Sequence, residues 1–457
     1  MIVMKFGGSS LESAEAVRRV VGIVAARAER RPLIVVSALG KTTDQLLAIA
    51  EAAVTGHSQA AAILLSELRD HTSRMAAELA SDDAHDDLAG LLDENFEELA
   101  SLIKGLEVLG ELTPRSVGAV SSFGERIASR VFAEALRAAG LDAAHVDARE
   151  VVVTDDRHTE AQPLAEPTNR RANELLRPLI EKERIPVLGG FIASNEKGVT
   201  TTLGRGGSDL SASLLGAALD AEEVQIWTDV DGVLTADPSI VADAHRLRVL
   251  SFAEASELAY FGARVLHPAT MAPALEKNIP VKVLNSRRPE IEGTRIVAEP
   301  APSQVLVKSI AYKENITVVD IRSTRMLMAH GFLARIFQIF EEHETAVDMV
   351  STSEVSVSLT VDRAERLGAI SARLSEFSTV TLREQQAIVC VVGEGIRYTP
   401  GIAAKVFSAL DGIPVSMISL GAERLNVGFV VNEKDLEAVV TRLHAAFFSE
   451  IDHDVFA

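Results

Sequence analysis

The sequence predicts an α/β protein with a mostly parallel sheet of about eight strands, followed by two smaller β-α-β-β-α-β modules. Two observations predict this fold class. From Met1 to about Val297, short apolar strand patterns alternate with helical patterns, which is typical of a layered domain around a parallel sheet. After a proline-rich stretch at 299–304, a second pattern of strands and helices occurs twice. We therefore expect a first domain over residues 1–298 and a linker before the repeat.

The strands of the first domain are predicted from aliphatic runs bounded by turn residues. Between residues 57 and 112 the sequence is instead rich in Ala, Leu and Glu with helical spacing, so we expect a helical insertion there. The predicted strands are, in chain order, IVMKF, PLIVVS, AAHVDA, IPVLGGFIA, GVTTTL, EVQIWT, IPVKVL and TRIV.

The repeat has an unequal number of strands in its two copies. The first copy, 313–385, contains a complete β-α-β-β-α-β pattern, whereas the second, 386–457, lacks a closing strand. A missing strand would leave unpaired backbone groups at a sheet edge. We therefore predict that the strand pattern at 305–312 completes the second module and that the two modules are interleaved.

Composition restricts the classes of function. The 457 residues are 47% hydrophobic and 24% charged, as in ordinary globular proteins with sizeable cores. No apolar run reaches the ~20 residues of a membrane helix, and the N-terminus begins with a strand pattern, so we expect a cytoplasmic protein without a membrane partner. The net charge of -20 argues against nucleic acid as a partner. Cys390 is the only cysteine, which excludes intrachain disulfides and cysteine-clustered metal sites, and we expect a buried, inert thiol.

The stretch KFGGSS has the ingredients of an anion site. Lys5 precedes Gly7 and Gly8, unlike the lysine of a GxxxxGK[ST] phosphate loop. Glycines allow close backbone approach, and the start of the following helix favours a phosphate. An ordinary glycine turn beside a surface lysine would have the same sequence, and these six residues do not decide between the two.

Two further stretches indicate ligand binding. In GRGGSD, Arg205 is suited to grip a carboxylate or phosphate, although Ser208 or Asp209 could simply be a helix N-cap beside a solvated arginine. In WTDVDGVLTADP, three carboxylates around a turn suggest a magnesium or nucleotide-facing loop, although Asp-Gly is also ordinary turn chemistry. These carboxylates are those of Asp229, Asp231 and Asp237.

Together, KFGGSS, GRGGSD and TDVDG, in this order and with FGERIAS and YFGARVLHP, resemble the aspartate kinase family, in its monofunctional, lysine-sensitive form. The resemblance covers essentially the whole chain, and the repeat looks like the tandem ACT modules of that family. It implies an amino-acid kinase α/β/α sandwich. It also implies transfer of a phosphoryl group from ATP, with Mg²⁺, to the β-carboxylate of L-aspartate, which gives 4-phospho-L-aspartate for lysine, threonine and methionine synthesis.

The resemblance also implies roles for individual residues. Lys5 and Asp209 would be catalytic, with Asp209 organising the lysine. The ATP and its phosphates would be bound by Lys5, Gly7, Gly8, Ser9, Gly206, Gly207, Ser208, Thr228, Asp229, Leu234, Ser239 and Arg264. Many relatives have tyrosine, arginine and lysine at the positions of Leu234, Ser239 and Arg264. Aspartate would be bound by Ser37, Thr42, Glu125, Arg205 and Asp209, with Glu125 meeting its amine and Arg205 its α-carboxylate.

Two further residues, His267 and Trp227, could be mistaken for reactive groups. His267 is expected to be structural, because the chemistry needs no histidine base. Trp227 is expected to belong to the core or to a pocket wall and to take no part in the reaction. No metal ligand is predicted among the protein side chains.

The segments RMLMAHGFLARIF and TAVDMVSTSEVSVS resemble the effector site of lysine-inhibited aspartate kinases, which implies L-lysine as the inhibitor. Asp348 would meet the ammonium group of the effector, and Ala329 replaces a common serine. The implied pocket residues are Met326, Ala329, Phe332, Leu333, Val347, Asp348, Ser353 and Glu354. The modules would form a homodimer, or a tetramer built from it.

Two other functions agree with parts of the sequence. A kinase of the same fold could act on glutamate, acetylglutamate, carbamate or UMP, but FGERIAS, YFGARVLHP and the tandem modules disfavour it. A catalytically silent amino-acid sensor could keep the fold. The presence of Lys5, Glu125, Arg205 and Asp209 together favours an active enzyme.

Overall fold

The computed structural model describes residues 1–262, 268–300, 305–323, 330–362, 364–420 and 424–457. The chain divides into two compact units. The first comprises Met1–Val233, Val249–Phe252 and Val265–Pro300, and the second comprises Leu234–Arg248, Ala253–Arg264 and Ala301–Ala457, so far as each is described. The second unit therefore includes two segments that precede the predicted linker in sequence.

Eleven strands are described in the first unit. They are β1 Ile2–Phe6, β2 Pro32–Val36, β3 Ala143–His145, β4 Val153–Thr154, β5 Ile185–Gly189, β6 Ile192–Asn195, β7 Thr200–Thr202, β8 Glu223–Thr228, β9 Val249–Ser251, β10 Val281–Asn285 and β11 Thr294–Val297. Eight of them form one sheet in the order β3-β5-β2-β1-β8-β10-β11-β9. All neighbours in this sheet are parallel except β10 and β11, which confirms the predicted eight-stranded, mostly parallel sheet.

The membership of the sheet differs from the prediction at two strands. GVTTTL contains β7, which belongs to a separate three-stranded sheet, β4-β6-β7, and the unpredicted three-residue strand β9 takes its place. The predicted strand IPVLGGFIA splits into β5 and β6 because Phe191 has a left-handed backbone, with φ of 64°. A Cβ on Gly190 would lie 2.7 Å from the Cα of Ser208, so only glycine fits this close approach.

Helices cover the sheet and form the stretch predicted to be helical. They are α1 Ala14–Ala25, α2 Thr42–Val54, α3 Ser58–Leu79, α4 His85–Leu109, α5 Pro114–Ser121, α6 Phe123–Ala138, α7 Ala148–Val151, α8 Ala165–Leu175, α9 Arg177–Glu181, α10 Gly207–Ala218 and α12 Pro268–Glu276. The helix α11 Phe252–Tyr260 belongs to the second unit except for its first residue. Local sequence sets their ends: Ser13 accepts a hydrogen bond from the Ala16 N–H at the start of α1, and Thr113 with Pro114 starts α5. Within the described residues, no helix is long and apolar enough to cross a membrane.

The central strands β1 and β2 are buried along almost their whole length, as expected for parallel strands covered by helices on both faces. Phe6 stacks on Trp227 with ring centroids 5.9 Å apart, and Trp227 donates its indole N–H to Gln225. Trp227 therefore belongs to the core of the first unit, as predicted.

The second unit contains a six-stranded antiparallel sheet. Its strands are β12 Ser309–Arg322, β13 Val350–Thr352, β14 Ser356–Val361, β15 Thr379–Val392, β16 Met417–Leu420 and β17 Asn426–Asn432, in the order β13-β14-β12-β15-β17-β16. Its helices are α13 Phe332–Glu342, α14 Leu367–Ser375, α15 Ile402–Ala409 and α16 Leu436–Phe447. Cys390 is buried in β15, and burial raises the pKa of its thiol well above the ordinary value.

Two long strands join the halves of this sheet. The strand predicted at 305–312 continues into the first copy as β12, and β15 continues from the first copy into the second; each strand is 14 residues long, with positive φ angles of 58° at Asn315 and 55° at Gln385. The first half of β12, Ser309–Lys313, pairs with Ile388–Val392, which in turn pairs with β17. Residues 309–313 therefore lie beside the strands of the second copy, and the rest of β12 lies beside β14 of the first.

The C-terminal residues pair with a segment from the middle of the chain. The Arg246 N–H donates to the Ala457 carbonyl at 3.1 Å, and the Arg248 N–H donates to that of Val455 at 2.9 Å. Phe456, between these acceptors, is 2% exposed and packs edge-on against Phe448. Within the second unit, the segment Leu234–Arg248 is thus held by the end of the chain.

Candidate active site

The predicted ligand-binding stretches of the first unit follow parallel strands. Since β1, β2, β5, β8 and β10 run in the same direction, their carboxyl ends open on one edge of the sheet, where ligands of such folds bind. After β1, the Gly7 N–H donates to the Trp227 carbonyl at 3.1 Å, and a Cβ on Gly8 would lie 2.7 Å from the Gly40 carbonyl. The turn after Lys5 therefore requires glycine.

A cavity of about 210 Å³ lies at this edge. It is smaller than the ~300 Å³ at which pockets for drug-sized ligands begin, and it suits an amino acid better than a nucleotide. Its lining joins the ends of β1 and β2, helix α6 and the start of α10. The lining residues are Lys5, Ser37, Thr43, Glu125, Phe191, Gly204, Gly206, Gly207, Ser208 and Asp209.

Lys5 and Asp209 form an ion pair inside the cavity. Lys5 Nζ lies 2.6 Å from Asp209 Oδ1, and the two side chains are 11% and 15% exposed. Lys5 comes from the end of β1, and Asp209 comes from the first turn of α10. The carboxylate therefore lies directly against the ammonium group and balances its charge.

Glu125 is a buried carboxyl group with one free oxygen. It lies on α6, is 4% exposed, and its Oε1 accepts from the Ala38 N–H at 3.1 Å, while Oε2 has no partner among the described residues. Burial raises the pKa of Glu125 to about 8, and the Ala38 hydrogen bond and the charge of Lys5 oppose this shift only in part. An incoming ammonium group would supply the charge partner that this carboxylate lacks.

The turn before α10 brings backbone groups to the cavity, and Arg205 lies in this turn but is not among the lining residues. Gly206 has a φ of 71°, and a Cβ on Gly207 would lie 2.8 Å from the Phe191 ring, so both positions favour glycine. Arg205, between two glycines that line the cavity, is exposed and forms no ion pair with any described residue. Its guanidinium is therefore available to an anionic ligand.

The loop after β2 and the start of α2 bring two hydroxyl side chains to the cavity. Ser37 lines the cavity, but the Thr42 hydroxyl is buried and donates to the Leu39 carbonyl at 2.6 Å, and the next residue, Thr43, lines the cavity instead. Two adjacent threonines at a helix start cannot be told apart by sequence, because the direction of each depends on where the helix begins. The sequence also did not point to Phe191, whose left-handed backbone the preceding Gly-Gly pair could have suggested.

The residues predicted for the nucleotide are more dispersed. Gly7, Gly8 and Ser9 lie in the turn after β1, and Thr228 and Asp229 lie at the end of β8, outside the cavity lining. The predicted loop passes into the second unit between Val233 and Leu234, and Leu234 and Ser239 belong to that unit. Arg264 and His267 lie outside the described residues.

The three carboxylates of WTDVDGVLTADP are divided between the units, with Asp229 and Asp231 in the first and Asp237 in the second. Asp231 accepts a hydrogen bond from Asn285 at 2.6 Å, whereas Asp237 accepts from Ser239 and Tyr312 in the second unit. In the part of the chain that the structure describes, no three His, Cys, Asp or Glu side chains are grouped so that they could hold a metal ion.

Among the predicted effector residues, Asp348 has the most distinctive surroundings. Its Oδ1 accepts from Lys313 at 2.9 Å and from the Tyr260 hydroxyl at 3.1 Å. Phe332 begins α13, Leu333 is exposed on it, Val347 packs against the module core, and Ser353 and Glu354 lie in the turn between β13 and β14. Met326 and Ala329 lie outside the described residues.

Comparison with known proteins identifies the family. Residues 1–285 match the Amino acid kinase family, and residues 389–447 match an ACT domain. The chain is 41% identical to aspartokinase 1 of Arabidopsis thaliana, a chloroplastic protein, over 98% of this chain and 80% of that one. It is 36% identical to the lysine-sensitive aspartokinase 3 of Escherichia coli, over 98% and 99% of the two chains.

Solved structures agree with the sequence matches. Escherichia coli aspartokinase III in complex with aspartate and ADP has a TM-score of 0.85 at 34% identity, covering 98% of this chain and all of that one. The same enzyme with lysine and aspartate has a TM-score of 0.84, covering 98% and 99%. The present chain therefore belongs to the aspartokinase family and is an aspartate kinase.

Proposed function

We propose that the cavity at the carboxyl edge of the sheet holds L-aspartate, and that Lys5 assists transfer of the ATP γ-phosphoryl group to its β-carboxylate. The observation that carries this proposal is the Lys5–Asp209 pair in one small cavity with the unpartnered oxygen of Glu125. The related structure with aspartate and ADP supports the same pair of ligands. The product of this reaction is an acyl phosphate.

The reaction needs no general base. An aspartate side chain has an ordinary pKa near 3.9, so the attacking carboxylate is ionised at neutral pH. The barrier comes instead from repulsion between two anions and from the loss of freedom when they are aligned. Phosphoryl transfer is promoted mainly by positioning and by positive charge near the equatorial oxygens.

Aspartate would be held by complementary groups at its two ends. The free oxygen of Glu125 accepts the substrate ammonium, which also favours the ionised form of this buried carboxyl group. Arg205 binds the α-carboxylate through paired, charge-assisted hydrogen bonds. Ser37 and Thr43 line the remaining wall of the cavity. The β-carboxylate is thereby left facing Lys5.

The phosphates would be held by backbone groups and Lys5. The turn from Gly7 to Ser9 follows β1, and the turn from Gly206 to Ser208 starts α10, so amide groups and a helix dipole favour negative charge there. Lys5, fixed by Asp209, is the cation placed between these turns and the substrate site. Thr228 and Asp229 at the end of β8 would contact the nucleotide.

ATP in this reaction would carry Mg²⁺, which neutralises part of the charge on the phosphate tail. Magnesium is commonly bound by one or two carboxylates, several waters and the substrate phosphates. The described residues fit that pattern, because they offer Asp209 beside the phosphate turns and no cluster of three acidic ligands. Asp209 would hold the ion together with the phosphates.

The ACT modules would make the enzyme responsive to L-lysine. Support comes from the named lysine sensitivity of the Escherichia coli relative and from its structure with lysine. Asp348 would bind the effector ammonium, with Phe332, Leu333 and Val347 near its side chain. The modules would also assemble the protein as a homodimer, or as a tetramer built from dimers. Inhibition requires that lysine bind an inactive arrangement more tightly than the active one.

A substrate panel tests the proposed function. ADP release is measured with Mg²⁺ and ATP in the presence of aspartate, glutamate, acetylglutamate, carbamate or UMP, with lysine, threonine and methionine added separately. We expect ADP release to depend on aspartate and to fall when lysine is added. Turnover of another acceptor in preference to aspartate would overturn the substrate assignment, and indifference to lysine would overturn the assignment of the effector.

A further inference from the structure

Lys313 lies in a charge cluster next to the proposed effector site. Its Nζ lies 2.9 Å from Asp348 Oδ1 and 2.9 Å from Asp362 Oδ2. Asp348 precedes β13, Asp362 follows β14, and Lys313 lies on β12, so three separate segments bring these groups together. All three belong to the second unit.

The cluster is short of one positive charge. Two carboxylates face one ammonium group, so its formal charge is one negative. The Asp348 side chain is 6% exposed, and its Oδ2 is buried with no hydrogen-bond partner among the described residues. The Tyr260 hydroxyl donates to Oδ1, which adds no charge. A buried carboxylate oxygen without a partner is costly, and an added ammonium group would satisfy it.

Lys313 keeps its charge in these surroundings. Burial would lower the pKa of Lys313, but its hydrogen bonds to Asp362 and Asp348 raise the pKa above the ordinary value. A permanent cation therefore shares Asp348 with any ligand that binds there. Two cations on one carboxylate repel each other, so the resident lysine weakens the binding of the second.

We propose that Lys313 is a resident counter-ion that sets the sensitivity of the enzyme to an amino-acid inhibitor, by competing for Asp348 with the inhibitor's ammonium group. This inference rests on the proposed regulatory function of Asp348. It assigns Lys313 an electrostatic role on ligand affinity and no part in the phosphoryl transfer. Removing its charge would leave both carboxylates to attract the ligand.

The test uses the full-length enzyme and L-lysine as the probe. In the Lys313→Met variant, we expect the lysine concentration for half-inhibition to fall by at least ~5-fold, while kcat and the KM for aspartate without lysine are unchanged. Lys313→Arg keeps the charge and should keep the wild-type sensitivity. In a background carrying Asp348→Asn, the substitution of Lys313 should no longer increase sensitivity.

A second ion pair in the same sheet provides a matched control. Arg383 Nε lies 2.7 Å from Asp320 Oδ2, on neighbouring strands of the module, and Arg383→Met removes this ion pair, which does not include Asp348. This variant should leave the half-inhibition concentration unchanged. Melting curves for each variant check that the fold is intact, and Lys313→Gln provides a second neutral variant.

The outcomes separate the two proposals. If wild type is inhibited by lysine but the neutral Lys313 variants are equally or less sensitive, the role of Lys313 is overturned and the regulatory assignment stands. If wild type neither binds nor responds to lysine, the regulatory assignment fails, and the inference fails with it.

Discussion

Glu125→Gln tests the most unusual electrostatic feature of the active site. The wild-type carboxyl group is buried, has one unpartnered oxygen, and has its pKa raised from about 4.5 to about 8 by burial. Between these values the folded protein keeps the proton and the unfolded chain loses it. The unfolded state therefore binds fewer protons, and the stability of the first unit falls as pH rises through this range.

The magnitude follows from the shift. One pKa unit corresponds to about 1.4 kcal/mol, so wild type should lose about 2 kcal/mol of unfolding free energy relative to the glutamine variant between pH 6 and pH 8. Glutamine does not ionise and keeps an oxygen for the Ala38 N–H. The variant should thus become increasingly more stable than wild type up to about pH 8, and the difference should then level off.

Fluorescence of Trp227 follows this transition. It is the only tryptophan in the sequence and is buried in the first unit, so urea titrations at several pH values report on that unit. Glu134→Gln is the control on the same helix, since Glu134 is buried but paired with Arg137 at 2.8 Å. A stability difference between wild type and Glu125→Gln that does not change from pH 6 to pH 8 would refute the reasoning.

The same substitution should impair substrate binding. A neutral amide cannot pair with the substrate ammonium, so we expect the KM for aspartate to rise at least ~10-fold, the range for hydrogen bonds to charged groups. In wild type, aspartate binding should strengthen about fivefold from pH 7 to pH 8 as the ionised fraction of Glu125 increases, and Glu125→Gln should lack this dependence. A stable variant with unchanged KM would mean that the carboxylate does not meet the substrate.

Three further substitutions test other contacts. Lys5→Ala should lower kcat at least ~100-fold, because it removes the positive charge that stabilises the transferring phosphoryl group. Near-full turnover would show that Lys5 has no part in the mechanism. Lys277→Ala, which removes an exposed ion pair, is the control. Arg205→Ala should mainly raise the KM for aspartate in steady-state assays, and an unchanged KM would show that another group binds the α-carboxylate. Phe456→Ala should destabilise the second unit by ~3 kcal/mol, because a buried ring is lost. It should also speed hydrogen exchange at the Arg248 amide, which donates to the Val455 carbonyl. An Arg248 amide protected from exchange as in wild type would show that the C-terminal pairing does not depend on Phe456.

The sequence predicted those parts of the site that are contiguous in the chain. Local pattern locates Lys5, the glycines after β1 and the turn before α10, because strand ends and helix starts are fixed by nearby residues, but the resemblance was needed to distinguish a ligand site from an ordinary turn. The resemblance added the pairing of Lys5 with Asp209. Thr43 was missed because one residue of shift at a helix start changes which side chain faces the cavity.

The remaining features depend on contacts between distant segments. The break of IPVLGGFIA at Phe191 arises where Gly190 packs against Ser208, and neither the strand pattern nor composition reveals that contact. The Asp348 cluster joins Tyr260 and Lys313, which are 88 and 35 residues away in sequence. Such pairs follow from strand order and register, which local patterns do not determine.

Trapping the product tests the central claim, that the site at Lys5 and Asp209 transfers the γ-phosphoryl group of ATP to the β-carboxylate of aspartate. Wild type and Lys5→Ala are incubated with ATP, Mg²⁺, L-aspartate and hydroxylamine, which converts an acyl phosphate into a hydroxamate, and ADP and hydroxamate are both quantified. We predict equal amounts of the two products from wild type, strict dependence on aspartate, and loss of both in Lys5→Ala. ADP without hydroxamate, or undiminished product from Lys5→Ala, would contradict the account.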